Sequence, residues 1–332
     1  MSMEALVKPR GYTAQLRHVI DDDSKVGEAR RAAQALANFE FDAQTAGRVA
    51  IVATELANNL MRHAGGGEIL IQTLGTEGAT ALEVMAIDRG PGMHDVTRCM
   101  ADGYSTIGTP GTGLGAVRRL ADEFDIYSMP GEGTVVMARF GTELAVRFGA
   151  ICVPMPGEVD CGDAWHLVSQ DGRTAVIVVD GLGHGTFAAD AAQAGIGAFT
   201  ASPWEQPQQL MLLAGAAMTS TRGGAAACAL LQSQRVSYSG IGNISGALIS
   251  RDKSQGLVSH AGTLGMQLRR AQQFEHERPA GTLLVMHSDG VSARWSYKDR
   301  PDLFAHHPAI IAAVIYRDHG RERDDATVVV VA

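Results

Sequence analysis

The chain has 332 residues, 45% of them hydrophobic and 19% charged, with a formal net charge of -8. That length exceeds one ordinary core and suits two domains, and the hydrophobic share excludes a disordered chain. The charge is spread without like-charge blocks, which excludes nucleic acid as a partner; Arg118-Arg119 and Arg269-Arg270 read as solvated surface.

Cys99, Cys152, Cys161 and Cys228 have no CxxC spacing, which argues for reduced thiols and against zinc or a disulfide framework. No apolar run follows the charged residues near the start, so no signal peptide is expected. The small-residue stretch 187–201 is broken by Asp190 and Gln193 and reads as a buried helix, not a membrane span. The expectation is a cytoplasmic protein with no membrane partner.

In chain order, residues 44–63 place Val49, Ala53, Leu56 and Leu60 on one apolar face, which predicts a helix stopped by glycines at 65–67. Residues 68–74 and 81–87 then predict a strand hairpin. The glycine-rich run 108–115 opens a second helix through Glu123, and a strand over 135–140 follows the turn at 130–133. The pattern changes at Gly141, where a domain boundary is expected. Beyond it, 143–153 reads as extended, and 165–169 with 174–179 as a hairpin about Asp171-Gly172. Two alanine-rich helices, about 186–200 and 206–220, precede strands at 226–232, 235–239, 247–250, 282–287 and 327–331. Strands flanking paired helices imply an α+β sandwich.

The first half carries a polar row. Glu55, Asn59 and His63 stand four apart on the predicted helix and share a face distinct from the apolar stripe. The strand 81–87 ends in Asp88-Arg-Gly-Pro-Gly92, an acid followed by a turn that admits a ligand close to backbone. Gly111-Thr-Gly-Leu-Gly115 then presents a helix N-terminus whose free amides suit phosphate. In this order the three segments resemble the GHKL (Bergerat) ATP-binding fold over residues 10–140. Glu55-x-x-x-Asn59 is similar to its N-box, Asp88-x-Gly90-x-Gly92 to its adenine box, and Gly111, Gly113 and Gly115 to its second glycine box. Within that family the stretch looks most like the RsbT-type, anti-sigma-factor class of serine kinases, which phosphorylate small STAS-domain proteins. The resemblance implies ATP and Mg²⁺ as cofactors. Asn59 would hold the metal, Asp88 the adenine amino group, and Glu55 would deprotonate the attacking serine. His63 reads as packing or capping. A phosphoacceptor-histidine helix is not seen ahead of the domain, which weighs against a sensor histidine kinase.

In the second half the acids sit where strands end: Cys161-Gly-Asp163, Asp180-Gly-Leu-Gly-His-Gly185, Ser288-Asp289-Gly290 and Asp324-Asp325. Each alone could be a turn residue. Several carboxylates at one end of a sandwich repel unless cations neutralise them, which points to a hard-metal cluster. These motifs resemble the SpoIIE branch of the PPM phosphatases over residues 143–332, closest to the compact RsbX type, and so imply an αββα sandwich with two Mn²⁺ or Mg²⁺ ions. The resemblance implies Asp180, the Gly181 carbonyl, Asp289 and Asp324 as ligands, with Asp163 a ligand or a supporting acid. Leu182 stands where many relatives carry a histidine, and His184, two residues later, is the candidate proton donor to the leaving oxygen. Cys161 reads as a packed thiol.

Together the halves imply a two-domain partner-switching regulator that adds and removes phosphate on serine or threonine of STAS-domain partners. A sigma factor or downstream regulator is the further expected partner. A second reading keeps only the phosphatase, with ATP as a regulatory input. A third makes the first domain a binding module of the anti-sigma type.

Overall fold

The computed structural model describes residues 15–76, 78–100, 113–250, 253–266, 270–296, 298 and 300–332. The first domain runs β1 (Leu16–Ile20), α1 (Asp23–Glu40), α2 (Ala43–Asn59), β2 (Gly67–Thr76), β3 (Ala79–Ile87), α3 (Val96–Cys99), α4 (Gly113–Leu120), β4 (Glu123–Met129) and β5 (Gly133–Gly141). Its sheet has the order β1-β2-β3-β5-β4, every neighbour antiparallel. Asp22 and Asp42 cap α1 and α2, each accepting at 2.7 Å from a first-turn amide.

Alternation along the strands divides the sheet between two cores. Ile69, Ile71, Val84, Ala86, Val136 and Ala138 face α1, α2 and α4. Leu70, Met85, Ile87, Val135 and Met137 face the other way, into the second domain.

That domain runs β6 (Phe148–Val153), β7 (Asp163–Gln170), β8 (Arg173–Gly181), α5 (Thr186–Ala201), α6 (Pro207–Ala217), β9 (Gly224–Gln232), β10 (Arg235–Ile241), β11 (Ser245–Ile249), β12 (Ser254–Leu257), β13 (Phe274–Glu277), β14 (Leu283–His287), α7 (Pro308–His319) and β15 (Ala326–Val331). Sheets ordered β13-β10-β9-β8-β7 and β12-β11-β14-β15-β6 pack face to face. Helices α5 and α6 cover the first of them.

Helix α7 covers the β6–β15 side of the second sheet and meets the first domain's sheet with its other side. Every residue from Ala309 to Ile315 is therefore buried. Polar groups tie the same seam. Arg139 donates to Glu83 and to the Phe148 carbonyl, both at 2.7 Å. Gln72 bridges Glu83 and the Ala150 carbonyl. Gln15 covers the free edge of β6 at Ala150 and Cys152. The result is one stack: helices, sheet, α7, sheet, sheet, helices. Among the described residues no helix is long and apolar enough to cross a membrane.

Several expectations need correcting. The helix after the second glycine box ends at Leu120, and Glu123 instead begins β4. The helix predicted over 44–63 is α-helical only to Asn59; Leu60–Ala64 is a π turn. Strands β1, β4, β12 and β13 and helices α1 and α7 add to the expected elements. The buried stripe of α1 is Val26, Ala29, Ala33 and Ala37, whose small side chains give little periodic signal.

The buried seam makes a stability prediction. Ile311→Ala is expected to destabilise the protein by about 2–5 kcal/mol, the range for a truncated core side chain. Amide protection of β3 and β14, on opposite sides of α7, should fall together in hydrogen exchange across a urea series.

Candidate functional site

The acids predicted from strand ends gather at one end of the sandwich. Asp163 opens β7 and lies opposite Asp180, the next-to-last residue of β8. Asp289 follows β14, and Asp324-Asp325 precede β15. Asp163 is buried, and its Oδ2 has no hydrogen-bond partner. Burial, then the Asp180 charge, holds its carboxyl well above the usual carboxylate range. Burial, then Asp289, Asp324 and Asp325, push Asp180 up to about 7. Burial and Asp289 also raise Asp324.

The backbone is shaped to allow this convergence. An added Cβ at Gly181 would lie 2.0 Å from the Ala188 carbonyl, and at Gly290 1.8 Å from the Asp325 carbonyl. Among the described residues no trio of His, Cys, Asp or Glu side chains is already closed tightly enough to hold a metal ion. The donor set still fits hard cations: all oxygen, mutually repelling, with a buried carboxylate oxygen left unpaired.

Two participants were not singled out in the sequence. Asn243 donates to Asp289 Oδ2 at 2.7 Å and also hydrogen-bonds Asp180. Its motif, Gly-Asn-Ile-Ser-Gly, was visible, but only the fold places it between two acids. Glu158 Oε1 lies 2.7 Å from His184 Nδ1 in a loop that carries no motif. His184 itself is exposed at the mouth of the cluster. Asp325 Oδ1 accepts from the Met155 amide at 2.8 Å, and its charge also bears on Asp163 and Asp180. Cys161 is buried with its sulfur 3.7 Å from that of Cys152, a packed thiol.

In the first domain, Asp88 Oδ1 accepts from the amides of Gly90 at 2.8 Å and Thr134 at 3.1 Å. Burial raises its pKa despite those bonds. An added Cβ at Gly90 would lie 2.7 Å from Ala64, and at Gly92, where φ is 65°, 2.0 Å from the Met129 carbonyl. The loop thus packs between the π turn and the β4–β5 turn because both positions lack a side chain. Gly113 at the start of α4 sits against the Asn59 side chain, 3.5 Å from Oδ1 to an added Cβ. Asn59 Nδ2 is buried without a partner. The end of α2 with its π turn, the Asp88 loop and the start of α4 therefore lie together, with the unpartnered Asn59 amide among them. Glu55 is half-buried one turn earlier on α2, Gly115 lies in the first turn of α4, and Gly111 lies outside the described residues.

Residues 20–140 match the family described as histidine kinase-like ATPase domain, and residues 170–332 match stage II sporulation protein E (SpoIIE). The serine/threonine-protein kinase RsbT of Bacillus subtilis (strain 168) is 43% identical over 91 residues, which span 27% of this chain and 68% of that protein. The chain belongs to the RsbT family of histidine kinase-like ATPases, with a SpoIIE domain attached. A solved structure from work on the bacterial stressosome as a modular system is 24% identical with a TM-score of 0.53, covering 56% of this chain and 99% of its own. That likeness concerns the fold. RsbX in complex with magnesium is 20% identical over 55% of this chain and 94% of its own, at a TM-score of 0.47, too low to carry an argument.

The RsbT-like site predicts that Asn59→Ala abolishes ATP binding, measured by titration calorimetry with Mg²⁺ present. The SpoIIE-like site predicts a pH effect. An acid raised by folding adds stability below its unfolded value, near 4, and loses it as pH climbs through the folded value, here about 7. In chelator, Asp180→Asn should therefore melt higher than the parent at pH 8, with the gap closing toward pH 4 in thermal unfolding.

Proposed function

We propose that the chain is a bifunctional partner-switching regulator. Its second domain removes phosphate from serine or threonine of STAS-domain proteins, of the anti-anti-sigma or stressosome-like kind, and its first domain phosphorylates them with ATP. The observation that carries the phosphatase half is the convergence of Asp163, Asp180, Asp289 and Asp324, with Asp180 raised to about 7 by burial and its acidic neighbours. Asp180, the Gly181 carbonyl, Asp289 and Asp324 would hold two Mn²⁺ or Mg²⁺ ions, with Asp163 behind them. Bound there, such ions supply an activated water and charge neutralisation at the phosphoryl group.

The chain's own groups do the rest. Asn243 fixes the orientation of Asp289, to which it is bonded. Glu158 holds His184 by Nδ1, which leaves Nε2 free to deliver a proton to the departing serine oxygen. Val159, Leu182 and Phe187 are exposed around the mouth, and Met266 is exposed on the loop that pairs with Gly224. An apolar rim suits a protein substrate better than a metabolite.

In the first domain, Asn59 would hold Mg²⁺ at the ATP phosphates, and Asp88 Oδ2 would take the adenine amino hydrogen. Gly111, Gly113 and Gly115 would turn backbone amides to the phosphates, and Glu55 would take the proton of the attacking hydroxyl.

One observation favours a second reading, in which ATP regulates the phosphatase. Arg89, beside Asp88, donates to the Arg317 carbonyl at the end of α7. Just beyond it, the His319 carbonyl accepts from Ser292, and Arg321 donates to the Gly290 carbonyl beside Asp289. The adenine loop and a metal-site loop thus hang on one helix end.

Transfer of radiolabelled γ-phosphate to a STAS protein encoded nearby separates the readings. In an Asp289→Asn background, which should retain transferred label, the proposal expects labelling that Glu55→Ala removes. Absence of transfer, with a phosphatase rate that changes on adding ATP, supports regulation instead.

A further inference from the structure

The outer face of the β12-β11-β14-β15-β6 sheet is covered by α7 only in part. Over β11 and β12 it leaves a cleft of about 740 Å³. Its floor is made of small residues, Ser245, Ala247 and Gly256 among them, and an added Cβ at Gly256 would meet nothing within 4 Å. One end of the cleft is Asn243, the residue bonded to Asp289 of the acidic cluster. One wall is Trp295, whose indole N–H donates to His287 Nε2 at 3.2 Å and so holds the ring in place.

The charge of this cleft departs from the rest of the molecule. The chain has four lysines, Lys8, Lys25, Lys253 and Lys298, in a net charge of -8. Two of the four, Lys253 and Lys298, line this one cleft, both exposed, and among the described residues no Asp or Glu lines it with them. Lys253 stands just ahead of β12 at the β11–β12 hairpin end, while Asn243 precedes β11 at the other. Strand β11 has five residues, so the two ends are separated by about 17 Å at the usual rise of a strand. That span holds roughly four or five extended residues.

We propose that this cleft is the recognition groove for an extended, acidic segment of the protein substrate, lying four or five residues from the phosphorylated residue. The inference rests on the phosphatase reading of the acidic cluster. With the phosphoserine at the Asn243 end, the flanking chain runs over the small-residue floor, where its backbone lies close to β11 and β12. Trp295 gives it an apolar wall, and the ammonium groups of Lys253, at the far end, and of Lys298, on the lining, meet its carboxylates. Phosphorylated residues with basic flanks are disfavoured by the same two charges.

The test uses the full chain with Mn²⁺ and three substrates. One is a phosphoserine peptide with aspartates four and five residues away on both sides. The second carries lysines at those positions, and the third is p-nitrophenyl phosphate. The parent should prefer the acidic peptide. Lys253→Glu with Lys298→Glu should lower kcat/KM on that peptide by about three- to thirtyfold, as two exposed ion pairs allow, and raise it on the basic one. Activity on p-nitrophenyl phosphate should stay unchanged, which shows the doubly changed protein folded and its centre intact. A doubly changed protein that keeps the acidic preference overturns the groove. A parent that hydrolyses p-nitrophenyl phosphate but treats both peptides alike overturns the groove and leaves the phosphatase reading standing. A parent that hydrolyses none of the three overturns both.

Discussion

Helix α7 is the constraint on which the rest of the molecule depends. A helix that is apolar all round has no face to offer water and must be enclosed. Here the enclosing surfaces come from different domains: Leu70, Met85 and Val135 on one side, Ile151, Val153, Val328 and Val330 on the other. The joint is therefore part of the core, and the two domains are fixed relative to one another by burial. The polar seam beside α7 adds direction. The Glu83–Arg139 pair is almost wholly out of water, with its remaining capacity met by Gln72 and the Phe148 carbonyl. A buried pair contributes little net stability, but a shifted seam would leave it unsatisfied, so it disfavours other dockings.

The second tension in the structure is electrostatic. Folding drives Asp163, Asp180, Asp289 and Asp324 together, against both desolvation and mutual repulsion. The apolar strands beside these acids, with four valines in a row ending β15 and Val176–Val179 in β8, supply the opposing drive. Strain at Gly181 and Gly290 is avoided only because no side chain is present there. Binding sites of this kind are held in place by the scaffold around them. The loop after β3 follows the same rule, with Gly90 and Gly92 packed between neighbouring turns, and the Asn59 amide on α2 is buried without a partner.

The two sites are linked by geometry as well as by chain. The end of α7 takes the Arg89 side chain from the loop after β3 and, through the residues that follow, holds Gly290 and Ser292 next to Asp289. Whatever moves one loop bears on the other, since packed helices shift as units.

Much of this protein was legible in its sequence. The strands with flanking acids and the three nucleotide-box segments declare themselves locally, because turn chemistry, glycine spacing and apolar runs act over a few residues. The α+β class and both sets of candidate residues followed from them. Other features had no local signature. Helix α7 lacks an amphipathic period because it is buried on both sides, and α1 buries mostly alanines, so neither stood out. The π turn after Asn59, which packs against the loop after β3 at Gly90, has no local signature either. Asn243 and Glu158 gain their places only when distant segments meet, and the same is true of the two lysines on one cleft. Local chemistry determined which groups this chain possesses. Only tertiary structure decided which of them face each other, because that depends on how the sheets share α7 between them.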